Sequence, residues 1–362
     1  IVLAAGEGSR MRSARPKPLH LLCGRAMVLY VLDALPKGEI DRAVVVVGHG
    51  GERVTKKLMD DGAGLRLEFV EQHQQRGTGD AVATGLTGLH AEHDDEDDDV
   101  LVLPGDTPLL RSETIADLVA EHRLSDAACT ILTARVADPT GYGRIVRTGN
   151  DGRVARIVEQ ADATPAEAEI DEINTGIFCF RRSLLAPALR RLEPDNAQGE
   201  LYLTDVVEVL AQAGHKVVSV VAADPAEMQG VNDRAQLAAA EADLRARTNR
   251  AWQAKGVTMV DPVSTYIDAG VTLAPDVTIF PGTILQGRTT IGAGVEIGPG
   301  CRLVDCTVGE RTTLEHTIAR LSEIGADCQV GPYAVLEPGT HLTSGTRTGP
   351  FYTGTTATSP AG

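Results

Sequence analysis

A six-residue repeat in the last third of the chain limits the possible folds more than any other feature. Apolar residues follow one another there at intervals of six residues: Ile267, Leu273, Ile279, Leu285, Ile291, Ile297 and Leu303. The spacing slips between Asp305 and Leu321 and then returns at Ile324, Val330, Leu336 and Leu342. Gly, Asp, Thr and Pro fill the turns. A hexapeptide repeat of this kind predicts a parallel β-helix, in which each coil stacks its apolar side chain on the next.

The opening of the chain has a different pattern. Residues 1–4 are apolar and predict a short buried strand, which runs into Gly6 and Gly8. Glycine lets backbone N–H groups approach a ligand closely, and the cations Arg10 and Lys17 just downstream favour phosphate as that ligand. The segment is neither a P-loop nor a full dinucleotide fingerprint. Its glycines alone would also fit an ordinary strand-to-helix turn.

Strand and helix patterns then alternate. Ala43–Gly50 and Leu65–Gln72 predict buried strands, with a helical segment between them at 51–62. This alternation predicts a parallel sheet with helices on both faces. Ligands of such sheets lie at the carboxyl ends of the strands.

Polar residues follow several of these predicted strands. Gln72 and the Gly77-Thr78 turn offer amide and backbone groups suited to the edge of a base, or form only a polar loop. Asp106 follows the buried strand 100–103 and suits a hard cation such as Mg²⁺, although strand-end turns also favour Asp. Asn232 precedes a helix and can be a second oxygen ligand or only the N-cap.

Several motifs together resemble a known enzyme family. LAAGEGSRM followed by PKPL is similar to the signature of sugar-nucleotide pyrophosphorylases, which are nucleotidyltransferases. DPTGYGRI, EINTGIF and NAQGELYLTD narrow the resemblance to the bacterial bifunctional N-acetylglucosamine-1-phosphate uridylyltransferases and glucosamine-1-phosphate N-acetyltransferases. The resemblance implies a doubly wound, mostly parallel, Rossmann-like α/β domain at 1–233. A linker helix at 234–256 and a left-handed parallel β-helix at 257–362 would follow.

The resemblance also implies the ligands and the residues that bind them. The substrates would be UTP and N-acetylglucosamine 1-phosphate, with Mg²⁺ as cofactor and a homotrimer formed through the β-helix. Arg10 and Lys17 would be catalytic, with Asp106 and Asn232 as the metal ligands. The UTP-binding residues would be Leu3, Ala4, Ala5, Gly6, Gln72, Gly77 and Thr78. The sugar-binding residues would be Gly141, Glu159, Asn174 and Asn232.

Composition restricts the other partners and the location. The net charge of −16 argues against nucleic acid as a partner, and no apolar run is long enough to insert into a membrane. The six cysteines form no Cys-x-x-Cys pair, which indicates reduced thiols and a cytoplasmic location. The chain begins on a strand without Met, so we expect residues to precede it. The acidic run 92–99 is expected to be a solvated loop.

The resemblance weakens near the C-terminus. Glu337 stands where the family carries an Arg, Thr355 stands where a Lys is expected, and none of the nine histidines lies in the later coils to which the family's general base belongs. We therefore expect these residues not to acetylate glucosamine 1-phosphate. Three alternatives stay open: a transferase for another nucleotide or hexose 1-phosphate, an acyltransferase whose first domain only binds, and a silent scaffold that trimerises.

Overall fold

The computed structural model describes residues 1–6, 8–48, 50–61, 64–89, 98–148 and 152–354. The chain forms two compact units. The first comprises Ile1–His20 and Ala26–Leu237, and the second comprises Leu21–Arg25 and the chain from Ala238 onward. The domain limits expected from the sequence stay a prediction. Most of the acidic run, 92–97, lies outside the described residues.

The first unit is built on a nine-stranded sheet. Its strands are β1 (Val2–Ala4), β4 (Arg42–Val47), β5 (Arg66–Glu71), β6 (Asp99–Pro104), β7 (Cys129–Arg135), β8 (Arg144–Thr148), β9 (Arg153–Val158), β10 (Glu172–Arg181) and β11 (Val217–Val221). The main order is β11-β7-β10-β6-β1-β4-β5, and β8 pairs with β10 and β9. Two short strands, β2 (Leu21–Leu22) and β3 (Arg25–Ala26), form a separate pair.

The sheet is mixed rather than wholly parallel. Strands β5, β4, β1 and β6 run parallel, as do β7 and β11. Strand β10 is antiparallel to both β6 and β7. This arrangement agrees with the mostly parallel α/β fold expected from the alternation of strands and helices.

The described part of the chain contains eight α-helices. They are α1 (Met27–Asp33), α2 (Glu52–Asp61), α3 (Thr78–Leu86), α4 (Ser112–Ser125), α5 (Pro165–Ala168), α6 (Arg182–Leu189), α7 (Asp205–Gln212) and α8 (Arg234–Ala254). No helix among the described residues is both long enough and apolar enough to cross a membrane.

The sheet separates two hydrophobic cores. Val45 and Val47 of β4 belong to one core, while Val44 and Val46 belong to the other. Because successive side chains of a strand point to opposite faces, an unbroken apolar run such as 43–47 is stable only where both faces are covered. This double burial fixes the strand ends, and therefore the loops that carry the candidate site.

The second unit contains the predicted β-helix. Its strands are β12 (Thr258–Met259), β13 (Tyr266–Ile267), β14 (Thr272–Leu273), β15 (Thr278–Ile279), β16 (Ile284–Gln286), β17 (Thr290–Ile291), β18 (Glu296–Ile297), β19 (Arg302–Val304), β20 (Thr307–Val308), β21 (Thr313–Leu314), β22 (Ile318–Arg320), β23 (Glu323–Ile324), β24 (Gln329–Val330), β25 (Val335–Leu336), β26 (His341–Leu342) and β27 (Thr353–Gly354). They stack into three parallel sheets of five, six and five strands, consistent with the expected left-handed β-helix.

The slip in the repeat does not interrupt this stack. Between Leu303 and Ile324 the inward-facing residues are Val308, Leu314 and Ala319, all buried. Three of the steps between them span five residues instead of six. The turns of these shorter steps contain Asp305, His316 and Leu321, each with a positive φ. Shortened turns therefore shift the sequence period while the strands stay in register.

Candidate active site

The candidate site begins where β1 and β6 end side by side. These strands are parallel neighbours, with Leu3 opposite Pro104, so the residues after them share one edge of the sheet. The N–H of Gly105 donates to the carbonyl of Leu3 at 2.8 Å. A Cβ on Gly105 would lie only 2.9 Å from that oxygen, so this close approach needs glycine. Asp106 is thereby held beside the loop that follows β1.

Two cations and two oxygen-bearing side chains meet at this edge. Lys17 Nζ forms an ion pair with Asp106 Oδ2 and donates to Asn232 Oδ1 at 2.8 Å. Arg10 Nη2 donates to the same Asn232 oxygen at 3.1 Å. Lys17 is largely buried, with 12% of its side chain exposed. The four residues that the sequence singled out for phosphate and metal chemistry therefore form one cluster.

Local structure explains why Asn232 is available to this cluster. Asp233 rather than Asn232 caps helix α8, because Asp233 Oδ1 accepts from the N–H of Gln236 at 2.8 Å. The alternative that Asn232 is only the N-cap is therefore wrong. The backbone N–H of the preceding Val231 donates to the carbonyl of Asp106 at 2.9 Å, which fixes the two segments together.

The donor atoms at this edge fit a hard divalent cation. The carboxylate of Asp106 and the amide oxygen of Asn232 converge on one positive centre, the ammonium of Lys17. Carboxylate and amide oxygens are the ligands that Mg²⁺ accepts, and Mg²⁺ takes only one or two from a protein when phosphates supply others. Asp106 and Asn232 are therefore the residues that could hold such an ion.

A cleft of about 310 Å³ opens beside this cluster. It is lined by Leu3, Ala4, Ala5, Gly6, Lys17, Gln72, Gly77, Thr78 and Asp106, among others. All seven residues expected to contact UTP therefore border one cavity, together with Lys17 and Asp106. Gln75, which the sequence did not single out, also borders it, and its Nε2 donates to the carbonyl of Ala5 at 2.6 Å.

The far end of the cleft is formed by the turn at Gly77. Gly77 has a φ of 114°, and a Cβ there would meet the carbonyl oxygen of Leu201 at 2.5 Å. Thr78 Oγ1 accepts from the N–H of Leu203 at 3.0 Å. Gln72 Nε2 donates to Asp80 Oδ2 at 2.8 Å, and Asp80 is buried. The loop is thus built on close backbone contacts that exclude a side chain at Gly77.

Glu159 and Asn174 lie together, outside the lining of that cleft. A Cβ on Gly143 would lie 3.3 Å from both carboxylate oxygens of Glu159. The N–H of Asn174 donates to the carbonyl of the same Gly143 at 2.8 Å. Burial raises the pKa of Glu159, while the hydroxyl of Thr204, which donates to Oε1 at 3.0 Å, opposes this shift. The pair forms a second polar surface.

This second surface adjoins the cation cluster. Burial, followed by the charge of Asp106, raises the pKa of Tyr142, so the loop carrying Tyr142 lies near that carboxylate. Gly176, just after Asn174, lies beside Pro104 at the end of β6, where a Cβ would be 3.8 Å from the proline ring. A ligand extending from the cleft past Asp106 would therefore reach Glu159 and Asn174.

Gly141 is held by a network that the sequence did not indicate. Its N–H donates to Gln160 Oε1 at 3.0 Å, and the same oxygen accepts from Arg144 Nη2 at 2.8 Å. Arg144 is fully buried and also donates to the carbonyl of Tyr142. The sequence carries no signal for the burial of Arg144, because arginine is mostly exposed in proteins. This positioning role could not be found without the tertiary contacts.

A second group of potential ligands is already satisfied by its own contacts. Asp99, His122 and Cys179 bring their ligand atoms within 4.8 Å of one another. His122 Nδ1 is 2.8 Å from Thr130 Oγ1, and Nε2 is 3.2 Å from Asp99 Oδ1. Burial raises the pKa of Cys179 well above its usual range and so opposes the thiolate that a metal needs. This group forms a buried polar network.

A nucleotide-sized cleft beside paired cations and oxygens at a sheet edge defines a nucleotidyltransferase, and residues 1–253 match the Nucleotidyl transferase family. The Bifunctional protein GlmU of Streptomyces avermitilis is 47% identical over 351 residues, covering 97% of this chain and 72% of that protein. The GlmU protein of Desulfitobacterium hafniense DCB-2 is 45% identical over 97% of this chain and 75% of its own length. That of Mycobacterium marinum is 46% identical over 97% of this chain and 71% of its own length. The chain belongs to this family of bifunctional GlmU proteins.

Proposed function

We propose that this chain transfers a uridylyl group from UTP to N-acetylglucosamine 1-phosphate, forming UDP-N-acetylglucosamine and releasing pyrophosphate. The observation that carries the proposal is the cluster of Arg10, Lys17, Asp106 and Asn232 beside the nucleotide-sized cleft. It supplies charges of both signs at the point where a triphosphate and a sugar phosphate would meet. The product would serve cell-wall precursor synthesis.

The residues of the cluster act by positioning and by neutralising charge. An oxygen of the sugar phosphate attacks the α-phosphorus in line, the bond to the β-phosphate oxygen breaks, and no covalent enzyme intermediate forms. The ammonium of Lys17 has three donors, of which Asp106 and Asn232 use two, so one can face a phosphate oxygen. The guanidinium of Arg10 would meet the leaving pyrophosphate.

Asp106 and Asn232 would hold Mg²⁺, whose chemistry is to neutralise and orient phosphate oxygens. The net charge of −16 makes such local compensation necessary for an anionic substrate. Among the described residues the Nδ2 of Asn232 has no acceptor, so it could donate to the sugar phosphate. The proposed metal can therefore be tested by the response of turnover to divalent ions.

The sugar would be recognised by Gly141, Glu159, Asn174 and Asn232. Asn174 Oδ1 already accepts from the N–H of Gly176 at 3.1 Å, so its Nδ2 is the group left to donate. A donor suits the carbonyl of an acetamido group, and the carboxylate of Glu159 suits a sugar hydroxyl. Gly141 would let the backbone approach the sugar ring.

A pyrophosphate-release assay with four nucleoside triphosphates and several sugar 1-phosphates tests this proposal. We expect turnover to be highest with UTP and N-acetylglucosamine 1-phosphate and to require a divalent cation. The acetamido sugar should be preferred over glucose 1-phosphate. A preference for another nucleotide or another hexose would replace the proposed substrates while keeping the enzyme class.

The expected absence of acetyl transfer stays a prediction. The coils of the β-helix continue to Thr353–Gly354, so the fold itself gives this expectation no support. Glu337 is exposed at the end of β25, and Thr355 lies outside the described residues. The measurement is thiol release from acetyl-CoA with glucosamine 1-phosphate as acceptor. Turnover by these 362 residues comparable with uridylyl transfer would refute the prediction.

We further propose a homotrimer formed through the β-helix and a cytoplasmic location. The three flat parallel sheets of the second unit support the first, since such prisms commonly associate through their faces. The six free, buried cysteines support the second. Mass measurement in solution, with a trimer as the expected result, tests the assembly.

A further inference from the structure

The hydrogen bonds of Gln72 fix which end of its amide group is available to a ligand. Its Nε2 donates to Asp80 Oδ2 at 2.8 Å and to the carbonyl of Gly77 at 3.3 Å. An amide nitrogen has two N–H donors, so both are in use. Within the described part of the chain, no group donates to its Oε1. Gln72 therefore offers the nucleotide cleft an acceptor and not a donor.

Asp80 imposes this orientation. Its Oδ1 accepts from Arg76 Nη2 at 2.6 Å and from Arg76 Nε at 3.1 Å, while Oδ2 faces Gln72. A carboxylate paired with a guanidinium only accepts hydrogen bonds. Turning the amide of Gln72 over would set its oxygen against Oδ2, which places two buried acceptors together. That alternative is excluded as long as residue 80 is a carboxylate.

An acceptor at this point distinguishes bases by their ring nitrogen. Uracil has an N–H at N3, whereas cytosine has a lone pair there and an amino group next to it. The backbone N–H of Gly77 has no acceptor among the described residues, and it can donate to the neighbouring ring carbonyl. The acceptor, Oε1 of Gln72, matches N3–H of uracil, and the donor, the N–H of Gly77, matches the neighbouring carbonyl. Cytosine would set its N3 lone pair against Oε1 of Gln72.

We propose that Asp80, held by Arg76, determines base specificity by fixing Gln72 as a hydrogen-bond acceptor. This inference rests on the proposed function, since it concerns the base of the same nucleotide. Asp80 is a positioning residue, because it acts on the base only through Gln72. No local sequence pattern indicates this role: an Asp in the first turn of a helix such as α3 is expected there for its interaction with the helix dipole.

The substitution Asp80→Asn should turn the amide of Gln72 over, because only the longer contact of Nε2 with the carbonyl of Gly77, at 3.3 Å, would then oppose the turn. Arg76 can only donate, so it would hold the amide oxygen of an asparagine and direct the asparagine nitrogen towards Gln72. Gln72 would then accept through Oε1 and present Nε2 to the base. A donor at that point suits the N3 lone pair of cytosine. Replacing one oxygen of residue 80 by nitrogen would thus change which group Gln72 presents to the base.

The test compares kcat/KM for UTP and for CTP in the native chain and in D80N. We expect the ratio of UTP to CTP to fall roughly 10- to 100-fold in D80N. D61N is the matched control, because Asp61 also pairs with a cation four residues away, at 3.0 Å from Lys57, but neither residue of that pair lines the nucleotide cleft, whereas Asp80 contacts Gln72, which does. The ratio in D61N should equal that of the native chain.

The outcomes separate this inference from the proposed function. If the native chain prefers UTP and D80N keeps the same ratio, the inference is wrong and the proposed function stands. If the native chain does not use UTP, the proposed function fails first. Should D80N not fold, the native chain is compared with 3-methyl- and 5-methyluridine triphosphate. Only the first analogue lacks N3–H, so it should be used roughly 100-fold less well, and equal use would overturn the inference.

Discussion

The nucleotide cleft and the β-helix differ in whether their residues occupy equivalent positions. In the β-helix, Leu285, Ile291 and Ile297 occupy equivalent inward positions, each touching the coil before and the coil after. In the cleft, Lys17 has no equivalent: it contacts partners 89 and 215 positions away in the chain. Stability in a repeat is therefore shared among neighbours, whereas the chemistry of the cleft depends on single side chains.

This difference predicts opposite responses to substitution. Removing one side chain from the cluster at the sheet edge should change the rate strongly and the stability little. Removing one inward side chain of the β-helix should lower the free energy of unfolding by a similar amount in every coil. Four predictions follow from this contrast, beginning with the largest expected effect.

Asp106→Ala should lower kcat by on the order of 10³-fold or more, because it removes both an oxygen ligand for the proposed Mg²⁺ and the carboxylate partner of Lys17. The measurement is pyrophosphate release at saturating Mg²⁺, with the melting temperature as a check on folding. Asp171→Ala is the control, since Asp171 is an exposed aspartate paired with Arg135 at 2.7 Å. Near-normal kcat in D106A would show that the metal assignment is wrong.

Lys17→Ala should lower kcat by on the order of 10²-fold and raise the KM for UTP less, if Lys17 meets charge that grows at the α-phosphate. Arg10→Ala, directed at the leaving pyrophosphate, should affect both parameters. Lys57→Ala, which removes a lysine paired with Asp61 on helix α2, controls for the loss of a positive charge. Unchanged kinetics in K17A and R10A would mean that neither cation meets the substrate.

Leu303→Ala should lower the free energy of unfolding of the second unit by about 3 kcal/mol, because Leu303 is fully buried between coils. Leu285→Ala should give the same value within error, which is the test of equivalence. The single tryptophan, Trp252, packs against the β-helix core and reports denaturant unfolding by fluorescence. Thr290→Ala, at an exposed position of β17, is the control. Clearly unequal losses for the two leucines would contradict the picture of interchangeable coils.

The same contrast explains what could be predicted from the sequence. The inward positions from Ile267 to Leu303 and from Ile324 to Leu342 are predictable residue by residue, because the period is local and recurs in each coil. Even the slip at 305–321 is visible in the sequence, although its cause, steps of five residues between inward positions, is not. The edge of the sheet that carries the site is also predictable in outline, because strand ends can be recognised in the sequence. Asp106 lies just after one such strand, and Lys17 lies downstream of another.

The remaining parts of the site depend on contacts between distant segments. Sequence reasoning left Asn232 open between cap and ligand, and only the bond from Gln236 to Asp233 settles which residue caps α8. Arg144 and Asp80 carry no local signal for their roles, because each acts through another side chain. The roles assigned to individual site residues stay predictions that the substitutions above will test.

The smallest expected effect concerns Asp205, at the start of helix α7. Burial, followed by the charges of Glu208, Glu159 and Asp162, raises the pKa of Asp205 to about 6. The folded state therefore binds a proton that the unfolded state has lost between pH 4 and 6, so this group lowers stability as the pH rises through that range. Because the carboxyl is half exposed, solvent screening limits the effect to about 1 kcal/mol.

Asp205→Asn removes this titration, so D205N should exceed the native chain in stability by about 1 kcal/mol more at pH 7.5 than at pH 4. The measurement is the difference in unfolding free energy between the two proteins across that range. Asp171→Asn, at an exposed aspartate, should give a difference that hardly varies with pH. A constant difference for D205N as well would show that Asp205 ionises alike in the folded and unfolded chain. In that case the polar surface around Glu159 would be more hydrated than its burial indicates, and burial would raise the pKa of Glu159 less.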